Sequence, residues 1–101
     1  MIAKVAVAQR VDVEILVGGA GKTAVTLADA ALTVQVFQNG AWVATPVATL
    51  SLALVEVDSA NAPGFYTLTL TPAVVGDLSL FVSYTAGTIT PRGSQWDVFT
   101  N

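Results

Sequence analysis

The chain has 101 residues, of which 53% are hydrophobic and only 11% are charged, against about 25% charged residues in an average globular protein. Four Lys and Arg against seven Asp and Glu give a net charge of −3, which argues against binding to nucleic acid. Cys and His are both absent, which excludes disulfides, thiol nucleophiles, zinc-finger-type sites and His-based acid–base chemistry. We therefore expect one domain that is not an enzyme and holds no cofactor and no metal.

The first ten residues, MIAKVAVAQR, are predicted to form an N-terminal arm that precedes a domain over residues 11–101. The run of apolar residues in the arm is too short for a secretory signal. The longest uncharged span, residues 30–55, contains several polar residues and Pro46, so it does not suit a membrane helix. Whether the arm packs on its own domain or on a neighbour is left open, and its apolar side chains are candidate partner-binding residues: Ile2, Val5 and Val7.

Strands with a period of two are predicted from residue 11 onward. In VDVEILV, apolar residues alternate with Asp12, Glu14 and Leu16, as a half-buried strand requires. LTVQVFQNGAWVATP alternates in the same way and contains Asn39-Gly40. That pair is a strong hairpin signal, because both residues tolerate the positive φ of a type I′ turn.

The second half of the chain supplies the remaining strands. TLSLALVEV alternates three leucines with smaller residues, NAPG is a turn cluster, and FYTLTLTP alternates until Pro72. DLSLFVSYTAG and SQWDVFTN complete a count of about seven strands, roughly one every 10 to 14 residues. This spacing predicts an all-β fold, a single antiparallel β-sandwich.

GGAGKT, residues 18–23, resembles the phosphate-binding loop of nucleotide hydrolases. The common motif needs Gly at Leu16, and the variant loop of the ParA and arsenical-pump ATPase families needs Lys at Val17. Such a domain also needs a parallel sheet with helices on both faces, which takes more than 101 residues. We favour a turn between two strands, the second with Val25 and Leu27 on one face.

Two pairs of carboxylates recur at a spacing of two: Asp12 with Glu14, and Glu56 with Asp58. Such pairs serve glycoside hydrolysis or calcium binding, but solvated strand faces carry the same pattern. We favour the second interpretation for both pairs.

The aromatic residues are mostly expected in the core, because aromatic side chains usually fill the interior of such a sandwich. Trp42, beside the predicted hairpin, is the expected exception. It is a further candidate partner-binding residue, and a sugar-stacking platform is the alternative role for an exposed aromatic residue.

The segment APGFYTLTLTPAVVGDLSLFVSYTAGTITPRGSQWDVF, over roughly residues 62–100, resembles a pattern of Ig-like domains. In that pattern a Gly-x-Tyr strand leads to Leu-x-Leu-Thr-Pro, followed by a Gly-Asp-Leu turn and a closing aromatic-x-Val strand. Similar segments occur in modules of bacterial surface proteins and of tailed-phage virion proteins. The resemblance implies an Ig-like sandwich and carries over no functional residue.

A small, Cys-free, acidic and apolar Ig-like chain without a visible signal segment is similar to the decoration (cement) proteins of phage capsids. That resemblance implies a virion protein made in the host cytoplasm. Its partners would be the major capsid protein or another virion protein, and sister copies of a homo-oligomer or lattice, with no membrane and no nucleic acid. The alternative is a carbohydrate- or receptor-binding module of a phage tail or fibre, or of a bacterial adhesin.

Overall fold

The computed structural model describes the backbone of residues 2–3, 8–72, 76–92 and 97–100, and the side chains of residues 8–72 and 77–92. Within these ranges the chain forms ten strands and one short helix. They are β1 (Ile2–Ala3), β2 (Gln9–Val17), β3 (Ala20–Gly21), β4 (Leu32–Gln38), β5 (Ala41–Trp42), α1 (Pro46–Thr49), β6 (Ala53–Asp58), β7 (Ala62–Leu70), β8 (Gly76–Tyr84), β9 (Thr88–Pro91) and β10 (Asp97–Thr100). The helix is too short to cross a membrane, and these ranges contain no longer one.

The strands form two sheets that pack as a sandwich. In the first sheet β8 pairs with β4, β4 pairs with β5, and β1 and β10 also pair with β8. In the second sheet β2 pairs with β7, β7 pairs with β6, and β3 and β9 also pair with β2. The pairs are antiparallel except for β10 with β8. The predicted all-β sandwich is confirmed.

The core lies between the sheets and is filled by every second residue of the long strands, since successive side chains point to opposite faces. The alternation predicted for VDVEILV and FYTLTLTP is confirmed. The buried side chains of the three longest strands are Val11, Val13, Ile15, Tyr66, Leu68, Leu70, Leu78, Leu80, Val82 and Tyr84.

The predicted strand over TLSLALVEV is only partly correct. Pro46 lies in the first turn of α1, where its missing N–H costs nothing, and the Leu50 N–H donates to the Pro46 carbonyl at 2.9 Å. Ser51 then takes a φ of +50°, and β6 begins only at Ala53. Leu50 and Leu52 are nevertheless buried. The alternation of leucines in this segment therefore predicted burial correctly, although the segment before Ala53 is not a strand. The turn predicted at NAPG is also displaced, because β7 already begins at Ala62.

The N-terminal segment contributes to both sheets. Ile2 and Ala3 pair with Asp77 and Gly76 of β8, and β2 begins at Gln9. The backbone of this segment is therefore partly built into the sandwich. The side chain of Ile2, and Val5 and Val7 entirely, lie outside the described residues, as does Trp96. The division at residue 10 and the binding role of the arm stay predictions.

Candidate functional site

The glycine-rich segment GGAGKT forms a tight hairpin. Val17 pairs with Ala20, and the two residues between them, Gly18 and Gly19, have φ values of +61° and +81°. The Lys22 N–H closes the hairpin by donating to the Ile15 carbonyl at 2.9 Å. In the described chain no helix follows at residues 22–31, so the segment lacks the helix N-terminus that a phosphate-binding loop requires. The favoured interpretation as a turn fits this geometry.

Close backbone packing fixes the hairpin on β7. A Cβ atom added to Gly21 would collide with the Pro63 carbonyl. A Cβ atom on Gly64, which has a φ of +90°, would lie 2.7 Å from Gly21 Cα and 2.7 Å from the Ile15 carbonyl oxygen. Gly21, the third glycine of GGAGKT, is therefore required for the close contact between two backbone segments.

Two buried tyrosines hold the irregular loop of residues 22–31. The Tyr66 hydroxyl accepts a hydrogen bond from the Val25 N–H at 3.0 Å and donates one to the Lys22 carbonyl at 2.6 Å. The Tyr84 hydroxyl donates to Asp29 Oδ2 at 3.3 Å. Burial raises the pKa of both phenols, and the Asp29 charge adds to the shift at Tyr84.

The second strand predicted after GGAGKT is thus much shorter than expected. β3 ends at Gly21, and Ala24 has a φ of +61°, which extended strand geometry does not allow. Val25 is nevertheless buried and Leu27 packs against the core. In this part of the chain, hydrogen bonds between backbone groups and the Tyr66 hydroxyl take the place of the hydrogen bonds that a paired strand would provide.

The first predicted pair of carboxylates is neutralised by arginines. Asp12 accepts two hydrogen bonds from Arg10, at 2.9 and 3.2 Å, and one from the Thr67 hydroxyl at 3.0 Å. The hydrogen bond from Arg10 lowers the pKa of Asp12 below its usual value. Glu14 forms an ion pair with Arg92. Since each carboxylate has its own cation, this pair offers no open site for calcium or for a sugar.

The second pair is separated by the direction of its side chains. Asp58 caps the turn before β7, accepting hydrogen bonds from the N–H groups of Ala60 and Asn61 and from the Asn61 side chain at 2.9 to 3.0 Å. These bonds, that of the Asn61 side chain foremost, lower the pKa of Asp58. Glu56 accepts from the Ala24 N–H at 3.3 Å instead. Among the described residues, no three acidic, His or Cys side chains group in a way that suits a metal ion.

A groove of about 310 Å³ lies on the outer face of the second sheet. Its lining combines apolar and ion-paired side chains: Arg10, Asp12, Val57, Ala62, Phe65, Tyr66 and Arg92. Both arginines already hold carboxylates of the chain. The groove therefore has little unused charge with which to select an ionic ligand.

The strongest candidate for a binding surface is an aromatic cluster on the outer face of the first sheet. Trp42 lies between Phe37 and Phe81, with ring centroids 5.1 Å apart in each pair and interplanar angles of 74° and 59°. The β4–β5 hairpin sets Phe37 opposite Trp42, with Asn39-Gly40 in the predicted turn at φ values of +53° and +81°. We call these three residues the aromatic face.

Trp42 is 57% exposed, as predicted, whereas its two neighbours are half-buried. Of the other outward side chains of β4 and β8, Asp77 is charged and exposed, and the remaining four are uncharged: Thr33, Gln35, Ser79 and Ser83. The expectation of a core position was wrong for Phe81 and for Phe65, which both point outward. Phe81 occupies the same alternate positions of its strand as Ser79 and Ser83, and Phe37 the same as Thr33 and Gln35. The alternation in the sequence therefore already indicated that both rings point outward.

Comparison with protein-family models, curated proteins and solved structures found no match to this chain.

Proposed function

We propose that the chain is a non-enzymatic binding protein that contacts another protein through the aromatic face. The exposed indole of Trp42 is the observation that carries the proposal. Tryptophan is enriched at the energetic centres of protein interfaces, and charged residues are depleted there. Four of the five other outward side chains on β4 and β8 are uncharged, with Asp77 as the exception, and this composition fits such a centre.

In its specific form, the proposal is that the chain decorates and stabilises a phage capsid. The Ig-like pattern over residues 62–100 and the charged fraction of only 11% support this form. The major capsid protein would contact the aromatic face, and sister copies in the lattice would multiply weak contacts through avidity. The N-terminal arm would add a second contact.

Co-sedimentation with empty capsid shells tests this function. The shells are assembled from the major capsid protein of the genome that carries this chain, and a genome without such a protein contradicts the virion form. Trp42→Ser should weaken binding by about 30-fold or more, because truncating a central interface tryptophan costs roughly 2 kcal/mol or more. The matched control is Val17→Ser, which removes an exposed apolar side chain from the other sheet and should bind as wild type. Equal binding of both variants contradicts the proposal.

The arm is tested in the same assay by a truncation that leaves β2 intact. Deleting residues 1–8 preserves β2, which begins at Gln9, but removes β1 and the candidate residues Ile2, Val5 and Val7. Lower occupancy with an unchanged circular dichroism spectrum supports the arm as a contact. Full occupancy removes the arm from the proposal.

Carbohydrate binding is the second candidate, because an exposed indole on a face that also carries the polar side chains of Thr33 and Gln35 suits a sugar ring. A glycan array separates the two functions. A signal that disappears in Trp42→Ser, together with no binding to shells, favours a receptor-binding module of a tail, fibre or adhesin.

A further inference from the structure

We propose that β6 pairs with β6 of a second copy of this chain, antiparallel, around a two-fold axis at Val55. This inference goes beyond the proposed function and does not depend on it. It concerns the edge of the second sheet, whereas the aromatic face lies on the first sheet.

One side of β6 carries backbone groups that no strand of the described chain pairs with. The Arg92 N–H donates to the Asp12 carbonyl, so Asp12 directs its backbone groups toward β9 and Val13 toward β7. Because backbone direction alternates along each antiparallel strand, the register places Val55 as a hydrogen-bonded partner of β7. Leu54 and Glu56, on either side of it, therefore direct their N–H and C=O groups to the free side.

The side chains of β6 favour pairing with another strand. Val55 is 60% exposed and Val57 is 57% exposed, and both lie on the outer face of the second sheet. β-Branched residues pack well across paired strands. The strand, ALVEVD, contains none of the Lys, Arg or Pro residues with which edge strands commonly prevent pairing. Asp58 is held by its own turn, whereas Glu56 accepts from the Ala24 N–H through Oε1 and its Oε2 is buried without a hydrogen-bond partner in the described chain.

Charge and strand length select one register. A register in which odd residues oppose even ones would set outward side chains against inward ones, so only in-phase registers remain. An axis at Glu56 would place two carboxylates directly opposite each other, which is unfavourable. An axis at Leu54 would oppose Val57 to Ser51, which lies outside the strand at a positive φ. An axis at Val55 opposes Ala53 to Val57 and no like charges.

The edge is complementary to itself in the Val55 register, which favours a second copy of this chain as its occupant. At an axis on Val55, Leu54 and Glu56 of each copy form the hydrogen-bonded pairs, and the two Val55 side chains meet on the outer face. A six-residue strand is about 20 Å long, so the pair belongs to the weak class that buries less than about 1,200 Å² in total. We therefore expect a reversible dimer that populates at high protein concentration.

Cysteine cross-linking tests the pairing and its register, since the chain has no Cys of its own. Residues in a non-hydrogen-bonded antiparallel pair have Cα atoms about 4.5 Å apart, within the range of a disulfide. Under mild oxidation Val55→Cys should form a covalent dimer at least tenfold faster than Thr33→Cys, an exposed control on β4. A mixture of Ala53→Cys and Val57→Cys should cross-link faster than either variant alone.

Two outcomes would overturn the proposal. If Val55→Cys cross-links no faster than Thr33→Cys, β6 does not pair with itself. If Ala53→Cys or Val57→Cys alone cross-links faster than their mixture, the axis does not lie at Val55. Sedimentation of the cysteine-free chain at increasing concentration gives an independent reading: wild type should self-associate, and Val55→Lys should remain monomeric while keeping its circular dichroism spectrum.

Discussion

Replacing Tyr66 by Phe removes a single oxygen atom from the sandwich and leaves the ring in place. That oxygen accepts the hydrogen bond of the Val25 N–H and donates to the Lys22 carbonyl. Val25 is only 4% exposed, so its N–H cannot readily turn to water after the substitution. Tyr66→Phe should therefore release the loop of residues 22–31 from β7.

The size of the effect follows from these two groups. A buried donor left without a partner costs about 1–3 kcal/mol. The Lys22 carbonyl belongs to an exposed residue and can regain a bond to water, so it adds less. We expect a total loss of about 2–3 kcal/mol in the free energy of unfolding, which lowers the Tm by roughly 10 to 20 °C in a domain of this size.

Urea denaturation followed by circular dichroism measures this loss. Tyr84→Phe is the matched control, because its hydroxyl makes one longer bond, to the carboxylate of Asp29, and leaves no backbone group unpaired. Its cost should be about 1 kcal/mol. A loss below about 0.5 kcal/mol for Tyr66→Phe, or a larger loss for Tyr84→Phe, would refute the reasoning.

Two further predictions concern the same end of the sandwich. Gly64→Ala should destabilise the fold by more than 3 kcal/mol or prevent folding, because its Cβ would meet the Ile15 carbonyl at 2.7 Å and φ is +90°. Gly19→Ala, with a positive φ but open space, should cost only about 1 kcal/mol by the same urea titration. Burial raises the pKa of Tyr66 and Tyr84, so the folded chain holds these protons more tightly than the unfolded chain. Stability should be unaffected below about pH 10 and fall above it. Phenolate absorbance should then appear together with loss of the circular dichroism signal, and ionisation of both tyrosines in a folded chain would contradict this.

Local patterns in the sequence were sufficient to predict the strands with strict alternation and the hairpin at Asn39-Gly40. Strand pairing in a half-buried sheet imposes the period that these segments display. The same pattern carried the positions of Phe37 and Phe81, but a general expectation that aromatic residues fill the core obscured it. Trp42 was predicted to be exposed because it follows a tight turn.

The features that local patterns could not predict depend on contacts between distant residues. Gly21 and Gly64 are far apart in the chain, and each is small because the other backbone lies against it. The loop of residues 22–31 avoids strand geometry because Tyr66 and Tyr84 supply its hydrogen bonds. At residues 46–49, Pro46 starts a helical turn, and the residue after it, Leu50, is buried. This buried leucine gives the sequence an alternation that resembles that of a strand.

The most direct test of the central claim is the solvent accessibility of Trp42 in the bound state. The Trp96→Phe variant, labelled with 5-hydroxytryptophan, keeps Trp42 as its one indole and can be excited apart from the tryptophans of a capsid shell. In the free chain acrylamide should quench this fluorescence strongly, because Trp42 is 57% exposed. Binding to shells should make most of the quenching disappear. Unchanged quenching in a sample that co-sediments with the shells would contradict the account, because the partner would then contact another surface.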